Sequence, residues 1–599
     1  MKNIYVACFV FFTLVSCDSQ QLEAPEPPAY VQPVPDDWNL YQKNRQAEKA
    51  KYLTENKIAF SWFVDFPFSE TDGVPYILLK LLPVIAPEHW GSKDNFLDAV
   101  GLFKDERAPQ YPIARGVGIS AQTRGTNNTN IDYASFTCAA CHIGRVKYKT
   151  GKTDYIDGGV NSEFNIVQYR VRVYKTIQKI IGNEKDKNKQ GALAIDAFLS
   201  ALEIKHKNEP DYFYRNYKTG RLNFDEIYEK SQVALFRKKA AEVIPKFLQR
   251  AIAEYDGYAA LLAKNYSQVI PESIAGFPGM ADATGISTVN GYVAAQESFI
   301  GRMFDHFFLP PKPGITDFMT VWEQDKRKAR WNESGDALIN GGGQWNGNIP
   351  IPMYRNLAAQ LTLGLENNDI RVSAFAVDLL DGLPASVYPF EVDIDLAKQG
   401  QSLFKKNCAQ CHQPHNGKVY TDIGTNLNRS YVVNFLIRKA AIDGFSKICS
   451  PDTEVRMGKD KEKPCAKFDG VSLAEKDSII MSPNNQHHGY NARPLSGIWA
   501  QAPYLHNGSV PTIYHLLVPE ERPEVFVKSR LDYDTDKLGF NWRKAEKNSD
   551  GYLFNTSLMP SFSNQGHDKD ILDGKHVYKM DWSDDKSGAL SIIEYMKTL

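Results

Sequence analysis

The chain has 599 residues, of which 43% are hydrophobic, and its 70 basic and 71 acidic side chains leave a formal net charge of −1. This length exceeds what one ordinary hydrophobic core organises, so two or more domains are expected. The balanced charge provides no basic excess for nucleic-acid binding and no acidic excess of the kind typical of a disordered tail.

Residues 1–17 have the pattern of an export signal. Lys2 precedes an apolar run that is too short for a stable membrane span. The run ends in the sequence LVSC at residues 14–17, which resembles the bacterial lipobox, and this resemblance implies that Cys17 becomes the lipidated first residue of the mature protein. The alternative is an ordinary signal peptide that ends in a Cys by chance. Residues 18–37 contain five prolines and predict an extended tether, so we expect a lipid-anchored protein on the periplasmic side of the bacterial cell envelope.

Helical periodicity dominates the rest of the chain. The longest pattern runs from Asp225 to Tyr266, and we predict that it is broken at Pro245 because proline lacks the N–H that a helix interior needs. No regular β alternation of any length is visible, so we predict a mainly α fold with long loops. We divide it into an N-terminal domain of residues 38–388 and a C-terminal domain of residues 389–599.

The sequence Cys-x-x-Cys-His occurs twice, at 138–142 and at 408–412. In this spacing both thiols reach the two vinyl groups of one porphyrin, and the adjacent His enters the iron from the proximal side. One copy alone would also suit a redox dithiol or half of a zinc site, but two copies with His directly after the second Cys favour c-type haem. We therefore predict two covalently bound haem c groups, which agrees with export because this haem is attached outside the cytoplasm. The predicted attachment residues are Cys138, Cys141, Cys408 and Cys411, and the predicted iron ligands are His142 and His412.

Two further cysteines, Cys449 and Cys465, flank a charged loop that contains proline. In an exported protein we expect them to form a disulfide that closes the loop. The alternative is two free thiols.

A helix predicted over residues 396–406 leads into the second motif, and an amphipathic helix predicted over residues 587–599 closes the chain. A helix before Cys-x-x-Cys-His and a helix at the chain end resemble a class I cytochrome c domain. The two distant motifs, together with the sequence APYLHNG at 502–508, resemble the bacterial di-haem cytochrome c peroxidase superfamily. Three more stretches resemble the long branch of that superfamily that includes the di-haem rubber oxygenases. They are Gly279–Ala283, Asp317–Trp322 with Trp331-Asn332, and Ser563–His567.

The resemblance implies that the N-terminal haem is reactive and that the C-terminal haem relays electrons. A relay haem commonly has a second axial His or Met. The loop Ser563–His567 matches the place where the rubber-oxygenase branch keeps this ligand, so we predict His567 as the second ligand of the haem held by His412. We interpret His506 as a structural residue near the haem edge, whereas compact peroxidases use a Met as the ligand. The other candidates are His415, His487, His488, His515, His576, Met559 and Met580.

Compact peroxidases place a Gln and a Glu over the peroxide site. Glu163 and Gln168 follow the first motif, but we expect them at a solvated helix start, so the sequence assigns no catalytic residue. Arg493 is expected either beside a haem propionate or in an exposed ion pair.

The resemblance implies a haem peroxidase-type oxidoreductase. It would reduce hydrogen peroxide or dioxygen with electrons from a small soluble cytochrome or cupredoxin, relayed between the two haems. One alternative is an oxygenase that cleaves an apolar polymer such as polyisoprene. Another is a pure electron-transfer cytochrome in which both irons are six-coordinate.

Overall fold

A computed structural model describes the chain from residue 30 to its end, with gaps. The predicted signal peptide with Cys17, most of the predicted tether, and the predicted Cys449–Cys465 disulfide lie outside the described residues and stay predictions. The stretch Gly279–Ala283 also lies outside them. The described residues are 30–69, 73–91, 95–121, 130–148, 151–219, 222–264, 266, 268–274, 295–296, 299–304, 307, 309–310, 312–327, 330–331, 338–339, 345, 349, 352–362, 369–416, 418–431, 439, 442, 488–544, 551–573 and 576–599.

Helices and short 3-10 turns together hold about half of the described residues. In this part of the chain, no helix combines the length and the hydropathy needed to cross a bilayer. The α-helices are α1 (Trp38–Glu55), α2 (Lys57–Asp65), α3 (Tyr76–Ile85), α4 (Pro87–Trp90), α5 (Ala139–His142), α6 (Ile166–Ile181), α7 (Lys187–Asn208), α8 (Glu226–Ala263), α9 (Pro271–Ile274), α10 (Phe299–Phe304), α11 (Pro352–Thr362), α12 (Ile370–Gly382), α13 (Ile394–Asn407), α14 (Ile513–Leu517) and α15 (Lys586–Met596).

Several small sheets accompany the helices. The strands are β1 (Val74–Pro75), β2 (Val117–Ile119), β3 (Tyr133–Phe136), β4 (Ile143–Lys147), β5 (Thr153–Asp157), β6 (Lys218–Thr219), β7 (Leu222–Asn223), β8 (Arg330–Trp331), β9 (Leu338–Ile339), β10 (Val419–Tyr420), β11 (Tyr490–Asn491), β12 (Val525–Asp534), β13 (Gly539–Lys544), β14 (Tyr552–Asn555), β15 (Ile571–Asp573) and β16 (His576–Tyr578).

The largest sheet has five strands and is organised by β12. Strand β12 pairs antiparallel with β13 and with β14, and it pairs parallel with β4 where Asp532 lies opposite Lys147. Strand β4 continues the sheet into β5. The sheet therefore joins the strand that directly follows His142 to strands from the C-terminal third of the chain.

The expectation of a mainly α fold is correct only in part, because β12 is a ten-residue strand. Its sequence does not alternate between apolar and polar residues. Phe526, Val527 and Lys528 are all buried in succession, as occurs where both faces of a strand are covered. A search for half-buried strands misses such a segment.

Helix α8 passes through Pro245 without a break, so the predicted break was wrong. Proline removes one hydrogen bond from a helix interior. Here the residues around it, Val243, Ile244 and Leu248, are buried in a core shared with α6 and α7. Tertiary packing on both sides of the proline outweighs the local loss.

The predicted boundary at residues 388/389 stays a prediction. Apolar packing and strand pairing both run across it. Trp322 and Leu380 lie in the same apolar cluster as Trp499 and Ile592, and β4 pairs with β12. The regions that carry the two motifs are thus in direct contact.

Helices α13 and α15 cross at very short range, as in the cytochrome c arrangement expected for this region. A Cβ added to Gly400 would lie 1.8 Å from the carbonyl oxygen of Ser591. One turn later, the rings of Phe404 and Tyr595 have centroids 5.0 Å apart. The close crossing fixes the end of α13, where the second motif begins.

Gly400→Ala should lower the free energy of unfolding by about 2–3 kcal/mol, because the new methyl group overpacks the crossing. Chemical denaturation followed by circular dichroism measures this change. The matched control is Gly191→Ala in α7, where the added Cβ meets only Pro245 at 3.7 Å. This control should gain up to about 1 kcal/mol from helix propensity. Equal effects of the two substitutions would contradict the crossing.

Candidate functional site

The first predicted motif occupies one helical turn. Cys138 precedes α5, and the His142 N–H donates to the Cys138 carbonyl at 3.1 Å. Strand β4 starts directly after His142 and pairs with β5, so the turn is attached to the start of an inner strand of the five-stranded sheet. The Gly158 N–H, just past β5, donates to the His142 carbonyl at 2.9 Å and holds the histidine backbone in place.

The second motif repeats this local geometry at the end of α13. The His412 N–H donates to the Cys408 carbonyl at 3.1 Å, and the Cys411 N–H donates to the same oxygen at 3.2 Å. None of the four motif cysteines, all of which are described, forms a disulfide. Each motif therefore presents two thiols and one imidazole from a single turn.

The imidazole of His412 is held in one orientation. Its Nδ1 lies 2.7 Å from the backbone carbonyl oxygen of Arg493, so Nδ1 carries the proton and donates it. Burial lowers the pKa of His412 and keeps the ring neutral. Nε2 is consequently left with a lone pair, the form in which histidine binds a metal.

His567 faces His412. The ring centroids are 6.5 Å apart, and the ring planes differ by 28°. Burial, with a smaller contribution from the neighbouring His412, lowers the pKa of His567 to about 3, so this ring is neutral as well. The assignment of His567 as the second ligand of a haem held by His412 stays a prediction.

The loop that carries His567 is tightly constrained. His567 has a φ of +53°, which is uncommon for a residue with a side chain, and Gly566 has a φ of +124°. A Cβ on Gly566 would lie 2.7 Å from Cβ of Thr425. The His567 N–H donates to the Ile423 carbonyl at 3.0 Å. Backbone held in a rare conformation is a feature of functional sites.

A cavity of about 150 Å³ lies against both rings. Cys408, Cys411, His412 and His567 all line it, and most of its other walls are apolar. The cavity therefore offers a mainly apolar surface that the two imidazoles reach from two sides.

The other candidate ligands are less well placed. His506 lines the cavity, but its ring stacks on Tyr490 with centroids 4.5 Å apart, and its Nδ1 pairs with the Thr425 hydroxyl at 3.1 Å. Met580 also lines the cavity, whereas Met559 is buried in a different apolar cluster. His415, His488, His515 and His576 do not line the cavity, and His487 lies outside the described residues.

His142 is also buried and neutral. Burial lowers its pKa to about 4, the Met319 backbone carbonyl opposes this shift, and Arg327 adds to it. The ring of Phe318 lies edge-on to the imidazole with centroids 6.3 Å apart. The segment of residues 317–320 thus lies next to the His142 imidazole.

Glu163 is not at a solvated helix start, so that expectation was wrong. Its side chain is 1% exposed. Arg145 Nη2 donates to it at 2.5 Å and Arg530 Nε donates at 3.0 Å. The two arginines come from the sheet strands β4 and β12, and their convergence on Glu163 depends on tertiary pairing that local sequence does not reveal. Gln168 lies in the first turn of α6, which Asn165 caps by accepting its N–H.

Sequence reasoning assigned no role to Asp317 and Trp345, which connect the two motif regions. The Asp317 N–H donates to the His506 carbonyl at 2.6 Å, and Trp345 Nε1 donates to the Asp317 carbonyl at 3.0 Å. The Trp345 carbonyl in turn accepts from the Asn491 N–H at 2.8 Å. These contacts join residues far apart in the chain, so no short sequence pattern predicts them.

The Asp317 carboxyl is buried, and neither of its oxygens has a hydrogen-bond partner among the described residues. Burial raises its pKa well above the ordinary value for aspartate. The group therefore favours the protonated form in the folded protein.

Comparison with known proteins gives two domain matches. Residues 58–142 match the Y4iN-like domain, a range that ends on the last residue of the first motif. Residues 489–527 match the family described as RoxA-like, cytochrome c-like. The second range contains the sequence APYLHNG and Arg493.

The uncharacterized protein y4iM of Sinorhizobium fredii (strain NBRC 101917 / NGR234) is 33% identical over 449 residues, which cover 69% of this chain and 98% of y4iM. This chain belongs to the y4iM family. Two other proteins of the same strain are similar over shorter lengths. The uncharacterized protein y4iJ is 31% identical over 240 residues, 35% of this chain and 39% of y4iJ. The uncharacterized protein y4iN is 33% identical over 84 residues, 14% of this chain and 40% of y4iN.

The RoxA-like match identifies a cytochrome c-like domain near the C-terminus, which implies haem c. It supports a relationship to RoxA-type di-haem cytochromes and indicates a cytochrome-type oxidoreductase. Membership of the peroxidase superfamily stays a prediction.

The Asp317 carboxyl gives this y4iM-family protein a defined pH dependence. Because folding raises the pKa of Asp317, the folded state binds this proton more tightly, and stability falls as pH rises from about 4, the unfolded value. Asp317→Asn removes this loss. The unfolding temperature of the variant minus that of the wild type should therefore increase between pH 4 and pH 8.

Asp105→Asn is a control of opposite sign. Burial tends to raise the pKa of Asp105, but the ion pair with Arg107 outweighs burial and lowers it. This carboxylate stabilises the fold above its unfolded pKa, and that contribution is lost as pH falls. Asp105→Asn should thus be most damaging at neutral pH. A constant difference between wild type and Asp317→Asn across the pH range would contradict the account of Asp317.

Proposed function

We propose that this y4iM-family protein is an exported, lipid-anchored di-haem c-type cytochrome oxidoreductase of the RoxA type. One haem is attached to Cys408 and Cys411, with His412 and His567 as its axial ligands, and it relays electrons. The other is attached to Cys138 and Cys141, with His142 as its proximal ligand, and it reacts with the oxidant. Lipid on Cys17 anchors the protein on the periplasmic side of the membrane.

The facing pair of His412 and His567 carries the proposal. Two imidazoles that bind one metal at about 2 Å, the metal–nitrogen distance usual in proteins, have ring centres about 6 Å apart. The observed separation of 6.5 Å fits this requirement. The lone pair of His412 Nε2 and the two thiols on the same turn complete a donor set suited to haem c.

The residues at the first motif fit the same group. Cys138, Cys141 and His142 repeat the backbone bonds of the second motif, and His142 is buried and neutral. Haem c supplies a redox-active iron, which binds a small oxidant where an axial position is open and passes electrons where both positions are occupied.

Different residues of the chain surround the two sites and give them different roles. His567 and His412 close both faces of the larger cavity, which suits electron relay. Around His142, the apolar ring of Phe318 lies edge-on to the imidazole, and the Met319 carbonyl opposes the effect of burial on the pKa of His142. Trp345 joins the two regions through hydrogen bonds.

Two observations support dioxygen, with an apolar organic compound as the second substrate. The C-terminal match is to RoxA-like cytochromes. In addition, His567 rather than a Met faces His412, as in the rubber-oxygenase branch that this chain resembles. Reduction of hydrogen peroxide with a cytochrome or cupredoxin donor is the second candidate. The APYLHNG segment resembles the peroxidase superfamily, but it also lies inside the RoxA-like match and does not separate the two. Glu163 does not supply the peroxidase carboxylate in that case, because Arg145 and Arg530 bind it.

Parallel assays on the purified holoprotein separate the candidates. We expect oxygen uptake with polyisoprene latex that is lost in Cys138→Ser/Cys141→Ser. Rapid oxidation of a reduced small cytochrome by hydrogen peroxide, with no oxygen uptake, would favour the peroxidase. Absence of both activities in protein that carries two haems would favour a pure electron-transfer cytochrome.

The two motifs should retain two haems per chain through acid–acetone extraction, measured by the pyridine haemochrome spectrum. Cys138→Ser/Cys141→Ser and Cys408→Ser/Cys411→Ser should each lose one haem of the two, because each pair forms its own thioether bonds. Wild-type protein with one haem or none would contradict the proposal.

His567→Ala should convert one low-spin haem to high-spin in the oxidised spectrum, because it removes the imidazole that faces His412. His576→Ala is the matched control, since this histidine is exposed on β16 and only reaches the Lys406 carbonyl at 3.3 Å. His506→Ala tests the competing ligand in the same cavity. A low-spin spectrum that survives in His567→Ala but not in His506→Ala would move the assignment to His506.

A further inference from the structure

Two buried arginines meet between the motif regions. Arg327 Nη1 donates to the Thr320 carbonyl at 2.7 Å, and Arg493 Nη2 donates to the Thr320 hydroxyl. Arg327 is 4% exposed and Arg493 is 9% exposed. Arg327 comes shortly after residues 317–320, which lie behind His142. The backbone carbonyl of Arg493 accepts the hydrogen bond from His412 Nδ1.

Among the described residues, no carboxylate is paired directly with either guanidinium, although Glu323 acts on Arg327 from a longer distance. Nε and Nη1 of Arg493 are buried without a hydrogen-bond partner in the described part of the chain. Thr320 accepts hydrogen bonds from both arginines but carries no charge. Asp317 is close enough to influence Arg493 electrostatically, yet its own carboxylate oxygens lack a hydrogen bond in the described residues.

Burying an unpaired charge is expensive. The effective penalty in a protein is several kcal/mol for each ion, and Arg493 is 9% exposed. Arginine does not give up its proton in proteins to escape this penalty. A buried guanidinium with two unused N–H directions therefore indicates an anion that binds to it.

The cavities show where such an anion reaches the arginines. Arg493 lines the large cavity together with Cys408 and His412. It also lines a much smaller cavity of about 10 Å³, which Arg327 lines as well. Trp345 and Asn491 border both cavities. An acidic group on a molecule in the large cavity can therefore contact Arg493 directly, with Arg327 on the far side of Arg493.

We propose that Arg493 and Arg327 form a carboxylate-binding site between the two motifs, filled by a propionate of the haem attached at Cys408 and Cys411. The inference rests on the proposed function and extends it to the residues that set the charge around the relay haem. A planar guanidinium matches a carboxylate with two parallel hydrogen bonds. In Arg493, Nε and Nη1 leave N–H groups free of any partner in the described residues, on either side of Nη2, which binds Thr320. The same chemistry would also suit a small carboxylate ion from solution.

Potentiometric titration of the oxidised and reduced holoprotein tests the site. Removing a positive charge beside the haem stabilises the oxidised iron, so Arg493→Gln should lower the midpoint potential of the low-spin haem. Arg327→Gln should lower it by less. Arg493→Lys keeps the positive charge but loses the planar guanidinium. The midpoint potential of this variant should lie between those of the wild type and Arg493→Gln. The matched control is Arg237→Gln, which removes an exposed arginine paired with Glu203 and should leave the potential unchanged.

A second measurement on the wild type needs no variant. A propionate held by two guanidinium groups stays ionised, so the midpoint potential should be constant over the pH range in which solvated carboxylates titrate. In Arg493→Gln the potential should become pH-dependent in that range. A purely structural role of Arg493 would lower stability without producing this pH dependence.

Acetate at constant ionic strength separates the two sources of carboxylate. A covalently tethered propionate predicts no effect of added acetate on the wild-type potential. A saturable shift would assign the site to an exogenous ion and overturn the propionate. Unchanged potential and pH profile in both Arg493→Gln and Arg327→Gln, with both haems in place, would contradict this inference alone. Wild-type protein without haem at the second motif would contradict the proposed function as well.

Discussion

The hydrogen bond from His412 Nδ1 to the Arg493 carbonyl is the contact on which the candidate site depends. It fixes the tautomer and the direction of the imidazole, so that Nε2 faces the cavity and His567 beyond it. The bond forms only if the end of α13 is correctly placed, and that placement depends on the close crossing of Gly400 with Ser591 in α15. The packing of α13 against α15 therefore sets the orientation of the His412 imidazole.

The same bond links the two motifs. The side chain of Arg493 binds Thr320, and the neighbouring Met319 carbonyl acts on His142. The two histidines therefore share a short, continuous set of buried contacts rather than lying in independent modules. The five-stranded sheet reinforces this arrangement, because β4 starts at the first motif and pairs with β12 from the C-terminal third of the chain. The segment from Asp317 to Thr320 therefore contacts residues of both sites.

Local sequence was sufficient for the elements whose signals are local. The helices α13 and α15 lie where apolar periodicity predicts them, whereas the role of His567 rests on a family resemblance and stays a prediction. Apolar periodicity and a resemblance to known loops carry these features. The break predicted at Pro245 failed because core packing around α8 outweighs one lost hydrogen bond. Strand β12 was missed because its residues are buried on both faces and do not alternate.

Residues that act through long-range contacts could not be found in this way. Glu163 is bound by arginines from β4 and β12, and Asp317 and Trp345 are defined by bonds to residues more than a hundred positions away or from a different loop. Arg493 was noticed as a partner for a propionate, but its burial and its shared contact with Thr320 are properties of the fold alone. No short sequence pattern predicts these contacts, since only the folded chain brings the partners together.

The central claim is that the two haem sites are chemically unequal, one closed by two imidazoles and the other reactive. Near-infrared magnetic circular dichroism of the oxidised wild-type holoprotein tests it most directly, because charge-transfer bands of low-spin haem distinguish two imidazole ligands from an imidazole and a thioether. The account predicts one bis-imidazole low-spin haem beside one haem with a different ligand set. Two haems with identical ligand sets, or a low-spin haem with an imidazole and a thioether, would contradict it.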